Sequence, residues 1–355
     1  MKNTLYLSIL AAALMGGQVF AAAIPTAVEG YTYLISSSYY GVYNQSGDAS
    51  GGNVIVSYSE TGTDLSKASV YGGYSMPAAA SSNKATMTGG QVRNLYGGYG
   101  STEATGNTVI MTGGSAEQVS GGKCDAMNTG VASGNVAIVA GDCIVSTTLC
   151  GGSAMSGAAA NDNKIYLVGK GATATIADAQ GKTATYTGGE ISVKNIYGGQ
   201  CGNTSTGNSL DIYGTGITAS GMVAHMQILN FHIAGALAEA DAPMFTSTFA
   251  ISPNLTGVTL GFCSDDVQDW SAFDGKSITL VDAAKAITVG EGSLGDVEIK
   301  GANGLTVATA QLALGNEGKS LVMSNIKGAT PVPEPATGTL GLLALAGLCI
   351  RRRRK

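Results

Sequence analysis

From Gly51 to about Ile217 the apolar positions recur in a fixed frame. Small residues are followed by Asn at Gly52-Asn53, Ser82-Asn83, Gly106-Asn107, Gly134-Asn135, Asp162-Asn163 and Gly207-Asn208. Two and four positions after the Asn come Ala85 and Met87, Val109 and Met111, Ala137 and Val139, Ile165 and Leu167, Leu210 and Ile212. Alternation with period two predicts strands with one face buried. A glycine pair follows: Tyr71-Gly72-Gly73, Tyr96-Gly97-Gly98, Ser120-Gly121-Gly122, Cys150-Gly151-Gly152 and Tyr197-Gly198-Gly199. An apolar residue sits two positions before each pair, at Val70, Leu95, Val119, Leu149 and Ile196. Middle pairs at Gly89-Gly90, Gly113-Gly114 and Gly188-Gly189 predict a turn between two strands in each unit.

No unit of this length buries a core by itself. Stacked units do, so the pattern predicts an all-β, elongated β-solenoid in which like residues form ladders, Asn at one corner and Tyr at another. One insertion, around Lys170 to Tyr186, interrupts the stack. Beyond Ala219 the glycine pairs stop and longer strands are expected over 223–233, 244–251, 257–262, 277–281, 296–300, 305–314 and 320–326, with a short helix possible over 234–241. This β-rich portion continues or caps the stack.

The two ends read differently. Lys2, the apolar stretch from Leu5 to Met15 and the small residues Val19-Phe20-Ala21-Ala22-Ala23 have the order of a secretory signal peptide, with cleavage fitting after Ala21 or Ala23. At the other end stand Pro331-Val332-Pro333-Glu334-Pro335, an uncharged run from Thr337 to Ile350, and Arg351-Arg352-Arg353-Arg354-Lys355. As a helix the 14 uncharged residues would span ~21 Å, less than the ~30 Å of a hydrocarbon core. The cations resist translocation and hold that end in the cytoplasm. The prolines give a stiff extended segment of the kind a protease or transpeptidase grips. The expected organisation is therefore a signal peptide with its signal helix (1–23), an N-terminal cap (24–50), Gly-rich β-repeats (51–218), a β-rich C-terminal portion (219–328) and a sorting segment with a short hydrophobic helix (329–355).

Composition sharpens the functional classes. Without the two ends, 13 Lys and Arg face 24 Asp and Glu, a net charge of −11. An acidic body with Arg93 as its one arginine argues against nucleic acid as a partner. Glycine provides 53 of 355 residues and charged residues only 12%, a composition suited to short strands and tight turns rather than to helices or charged disorder. There are six cysteines. An oxidising envelope permits disulfides, and Cys143–Cys150 or Cys124–Cys150 are the pairings considered.

Sites of chemistry are sparse. His225 and His232 lie seven apart, on opposite faces of one expected strand, and are read as packing or surface residues rather than metal ligands. Ser264-Asp265-Asp266-Val267-Gln268-Asp269 lacks the glycine and distal Glu of an EF-hand loop and is read as a solvated turn. Gly275-Lys276-Ser277 lacks P-loop spacing and precedes a strand. No Gly-x-Ser-x-Gly or dense acidic pair marks a hydrolase or lyase, so neither catalytic residue, metal nor cofactor is expected. The Tyr-Gly-Gly tyrosines are read as corner packing, with a sugar-binding row as the alternative.

Val332-Pro333-Glu334-Pro335, the Leu/Ala/Gly-rich run and Arg351 to Arg354 together resemble the PEP-CTERM sorting signal. That resemblance implies recognition and removal by an exosortase, a membrane-embedded cysteine transpeptidase of Gram-negative envelopes, and association with extracellular polysaccharide. The repeats, more distantly, resemble the β-helical passengers of autotransporter-type surface proteins, and Gly275 to Asp282 resembles their closing part; the tail departs from them, being a basic cluster where autotransporters have an outer-membrane barrel. The expected protein is exported through the Sec translocon, passes through an inner-membrane intermediate and reaches the cell surface or matrix in a structural or adhesive role. The alternatives are a carbohydrate-binding or carbohydrate-cleaving β-helix and an uncleaved single-pass membrane protein. N-terminal sequencing of the exported protein is expected to begin at Ala22 or Ile24; a chain beginning at Met1 would contradict the leader.

Overall fold

The computed structural model describes residues 25–329 apart from 61, 127–128, 156–157, 201–204, 265 and 268. The cleavage positions Ala21 and Ala23, both terminal helices expected from the sequence, the sorting segment Val332 to Arg354, and Cys201 and Cys349 lie outside the described residues.

The body is a β-solenoid. One sheet stacks eight strands in parallel: Asn53–Tyr58, Lys84–Met87, Thr108–Met111, Val136–Ala140, Lys164–Val168, Ser209–Tyr213, Ile228–His232 and Thr259–Cys263. A second is built from Ser38–Asn44, Ser69–Ser75, Gln91–Gly100, Gly114–Cys124, Cys143–Ser153 and Ile191–Gln200, also parallel. The expected inward residues face one another between these sheets. Met87, Met111, Leu167 and Ile165 on one side, and Leu95, Leu149 and Ile196 on the other, are wholly buried.

Four of the coils carry three strands, not the two expected. The third is very short: Ala49–Ser50, Ala80–Ser81, Glu103–Thr105 and Val131–Ser133 form a four-stranded parallel sheet of their own. Two or three residues cannot display a period, so this strand left no mark in the sequence.

Between the small sheet and the strand that follows stands the asparagine ladder. Asn83, Asn107, Asn135, Asn163 and Asn208 are completely buried. Each Oδ1 from Asn107 to Asn208 accepts from the backbone N–H and from Nδ2 of the rung before, at 2.9–3.1 Å. Each Nδ2 also donates to a backbone carbonyl of the small-residue side, from Ala49, Ala80, Ala104, Ala132 and Ala160. Gly52 N–H opens the ladder on Asn83, and Gln227 Oε1 closes it on Asn208.

The two sequence marks are one device. The residue before each ladder Asn turns with φ of 54° to 67°, at Ser82, Gly106, Gly134, Asp162 and Gly207. Left-handed backbone favours glycine and admits small polar residues. The second glycine of each pair lies under a ladder side chain: a Cβ on Gly73, Gly98, Gly122 or Gly152 would overlap Asn83, Asn107, Asn135 or Asn163. The first glycine abuts the next rung's backbone, Gly97 against the carbonyl of Gly121 and Gly121 against that of Gly151.

Asn53 departs from the expected frame. It is exposed and pairs with Lys84, one position past the ladder. Gly51 supplies the left-handed turn in that coil, with φ of 72°, and Gly52 takes the rung.

The insertion folds into an antiparallel hairpin, Thr173–Ala177 with Thr183–Thr187. It lies on the outer face of the first sheet, where Ala174, Ile176 and Tyr186 pack on Ile110, Ile138 and Val168. Asp178 at its tip pairs with Lys84 at 3.3 Å.

Antiparallel strands close both ends. Pro25–Glu29 runs along Asn53–Tyr58. Ser320–Gly328 runs along Ser277–Ala283 and continues into Thr306–Gly315 and Gly295–Lys300. Such caps cover edges that would otherwise template further strands. The strand expected over 223–233 is split into Val223–Ala224 and Ile228–His232 by the turn at His225, and the possible helix is a single 3-10 turn, Gly235–Glu239.

Asn135→Ala removes partners from Asn107, Ala104 and Asn163 in a dry interior. A loss of about 3 kcal/mol or more is expected, read as a drop in Tm. Asn53→Ala, on the same motif but in water, should stay within about 0.5 kcal/mol. Equal effects of the two would remove the ladder from the account.

Candidate functional site

The most concentrated chemistry among the described residues is aromatic. Strand register aligns Tyr40, Tyr71 and Tyr96 in one column and Tyr43, Tyr74 and Tyr99 in a second. Leu95 points into the core, so Tyr96 points out of it, and the bend at Gly97-Gly98 folds the outer faces of the flanking segments toward each other. The rings interlock there. Tyr40 stacks on Tyr71 with centroids 5.0 Å apart and planes at 6°; Tyr74 stacks on Tyr99 at 4.8 Å and 15°. Between columns the contacts are edge-on, as for Tyr71 and Tyr74 at 77°, the geometry the ring quadrupoles prefer.

Tyr96 is almost completely buried and donates its hydroxyl to Gln118 at 2.8 Å. Burial drives the Tyr71 phenol up to about 12 and the Tyr96 phenol higher still, so both stay neutral at any physiological pH. The Tyr-Gly-Gly tyrosines are thus corner packing, as expected. The second column is written in the sequence as the closing Tyr of Tyr71-Gly72-Gly73-Tyr74 and Tyr96-Gly97-Gly98-Tyr99.

A polar cluster lies further along the outer face of the first sheet. Asp211 accepts from Ser209 Oγ at 3.1 Å and Asn230 Nδ2 at 2.9 Å, and His232 Nε2 lies 3.1 Å from it. The His232 ring stacks on Tyr213 with centroids 3.7 Å apart. Ser209 and His232 both turn to the carboxylate, which leaves the histidine no serine proton to take; the arrangement fixes side chains in place. His225 is not on that strand. It sits in the preceding turn with φ of 59°, its ring near Tyr197. No group of three or more His, Cys, Asp or Glu able to hold a metal occurs among the described residues. In the 264–269 segment Asp269 accepts from Ser271 N–H and starts a 3-10 turn. Gly275 makes a turn with φ of 68° into Ser277–Ala283.

The considered disulfides do not form. Cys124, Cys143 and Cys150 are free thiols. Cys143 and Cys150 lie on one strand, separated by on the order of 20 Å of extended chain, where a bridge needs Cα atoms within about 7 Å. Cys124 donates to Thr102 O at 3.0 Å instead, and Cys143 to Ala140 O at 3.1 Å. Burial pushes the Cys150 thiol up to about 12 and Cys143 further.

Residues 331–355 match the family model of the PEP-CTERM protein-sorting motif. The chain carries a PEP-CTERM sorting signal. No curated protein and no solved structure matches the chain. A PEP-CTERM signal implies export to the cell surface or extracellular space, with an exosortase as processing partner. Among the described residues no helix is long and apolar enough to cross a membrane; the run from Thr337 to Ile350 that belongs to the PEP-CTERM signal lies outside them.

Alkylation of the native protein at pH 8, mapped by mass spectrometry, is expected to leave Cys143 and Cys150 unmodified for as long as the coil is folded and to label both in denaturant. Rapid native labelling of either would contradict their burial.

Proposed function

We propose that this protein is a passive, exported rod. The Sec translocon delivers it, the PEP-CTERM tail holds it briefly in the inner membrane, and an exosortase releases it by cutting near Val332-Pro333-Glu334-Pro335. Outside, it serves a structural or adhesive role in the cell surface or matrix of a Gram-negative bacterium, beside extracellular polysaccharide, and performs no catalysis of its own.

The observation that carries this reading is the sorting motif at residues 331–355 attached to a solenoid. The physical logic supports it. The buried amides are spent on one another in the ladder, and Ser209 and His232 Nε2 both turn to Asp211. A stack of near-identical coils resists extension along its length and offers a long surface for lateral contact. The half-buried second column, Tyr43, Tyr74 and Tyr99, favours one second reading, a carbohydrate-binding β-helix.

Mass spectrometry of the mature C-terminus tests the sorting step. The expected product ends upstream of Thr337, without Arg351 to Lys355, and accumulates outside the cell. Mature surface protein that retains the arginine cluster would overturn the release step and leave a single-pass membrane protein.

A further inference from the structure

The tyrosine columns stop abruptly. In register, Tyr96 is followed by Ser120 and Cys150 before the column resumes at Tyr197, and Tyr99 is followed by Lys123, Ser153 and Gln200. Rungs are ~4.8 Å apart, so two consecutive ring positions in the first column are taken by side chains with no ring. A cavity of about 470 Å³ opens at this place, lined among others by Tyr96, Gln118, Ser120, Lys123, Cys150 and Gln200. That size lies within the range of small-molecule sites.

Three further departures from the repeat meet here. The strand Cys143–Ser153 bulges between Val145 and Thr148 against both of its neighbours, and Thr148 lines the cavity. Bulges of this kind re-aim side chains beside functional sites. Lys123 holds its ammonium 5.6 Å from the Tyr96 centroid and 5.4 Å from that of Tyr99. Its carboxylate neighbour, Asp125, stands off at 4.0 Å. Burial lowers the Lys123 pKa, the mark of a cation short of compensating charge. Finally, the Gln200 amide oxygen takes only long contacts, from Cys150 Sγ at 3.5 Å and Ser153 Oγ at 3.4 Å.

We propose that this break in the tyrosine columns is a binding site for a carboxylate-bearing sugar ring of an acidic polysaccharide. Tyr96 closes one end of the cavity and the Lys123 ammonium lies over its ring, so the ligand meets the cation where the stack of rings stops. The Gln118 and Gln200 amides and the Ser and Thr hydroxyls suit sugar hydroxyls. Lys123 supplies the cation that a uronate requires and a neutral hexose does not. Ser120 and Cys150 contribute by being small: they leave room for a ring, and the buried neutral thiol adds no charge. The inference goes beyond the structural role and needs the proposed extracellular placement only as the source of its ligand.

The test uses the protein purified from cells that export it, with oligogalacturonate and the neutral cello-oligosaccharide of equal length as probes in titration calorimetry. Saturable binding of the uronate is expected, with the neutral oligomer bound at least about tenfold more weakly, the loss of one charge-assisted contact. Lys123→Gln should weaken uronate binding by a similar factor and leave the neutral oligomer unchanged. Ser120→Tyr extends the column by one ring; it should keep or raise Tm and abolish binding. Cys150→Tyr is the second route to the same block if Ser120→Tyr does not fold. Absence of uronate binding by the folded protein, equal affinity for both probes, or full binding by a folded Ser120→Tyr or Cys150→Tyr variant would each overturn the site. All of these are read on purified protein, so they stand or fall apart from whether the tail is cut.

Discussion

A buried amide that bonds to its own copy one coil away is the constraint on which this structure rests. Asn135 accepts from Asn107 and donates to Asn163 and to the Ala104 carbonyl, so its polar groups are met in a site with no exposure. A buried amide left without partners costs about 1–3 kcal/mol per group. The partner of each Asn is another Asn in register, so a slip of one residue would leave several amides unpaired at once. The apolar columns of Met87, Met111 and Leu149 supply most of the driving force for burial, but apolar contacts tolerate small displacements. The ladder is what fixes the register.

That requirement propagates outward. A ladder side chain needs a place to lie, so the facing strand has no Cβ at Gly73, Gly98, Gly122 and Gly152. The coil bends at the glycine pair, and the bend brings the outer faces of the flanking segments together. Tyrosines three positions apart, Tyr71 with Tyr74 and Tyr96 with Tyr99, then interlock as two columns. One interior interaction thus explains the glycine content, the corner and the aromatic stripe. It also explains why loss of the stripe at Ser120 and Cys150 does not disturb the stack: Asn135 and Asn163 continue beneath it.

How far the sequence showed this follows from which features have a period. The strands with residues at two and four positions after each Asn were legible, as were the inward positions before each glycine pair, because alternation spans enough residues to be counted. The short strands such as Ala80–Ser81 were not, because two residues have no period. Asn53 fits the small-residue-plus-Asn mark through Gly52-Asn53, but the backbone turns one residue earlier, at Gly51, and puts Gly52 on the rung. The outer-face packing of the hairpin was hinted at by the unbroken apolar run Val136–Ala140, buried on both faces. The disulfide pairings failed for a geometric reason: proximity in sequence along an extended strand is distance in space. The sorting motif was legible in full because its three parts are linear in the chain and need no fold to be seen.

Hydrogen–deuterium exchange of the purified protein bears most directly on the ladder. The backbone N–H groups of Asn83, Asn107, Asn135 and Asn163, each donating to the next rung, are predicted to be among the slowest to exchange and to lose protection together on heating. Exchange of these amides within minutes, while the flanking strand amides of Thr108–Met111 and Val136–Ala140 stay protected, would contradict the claim that the ladder holds the coil.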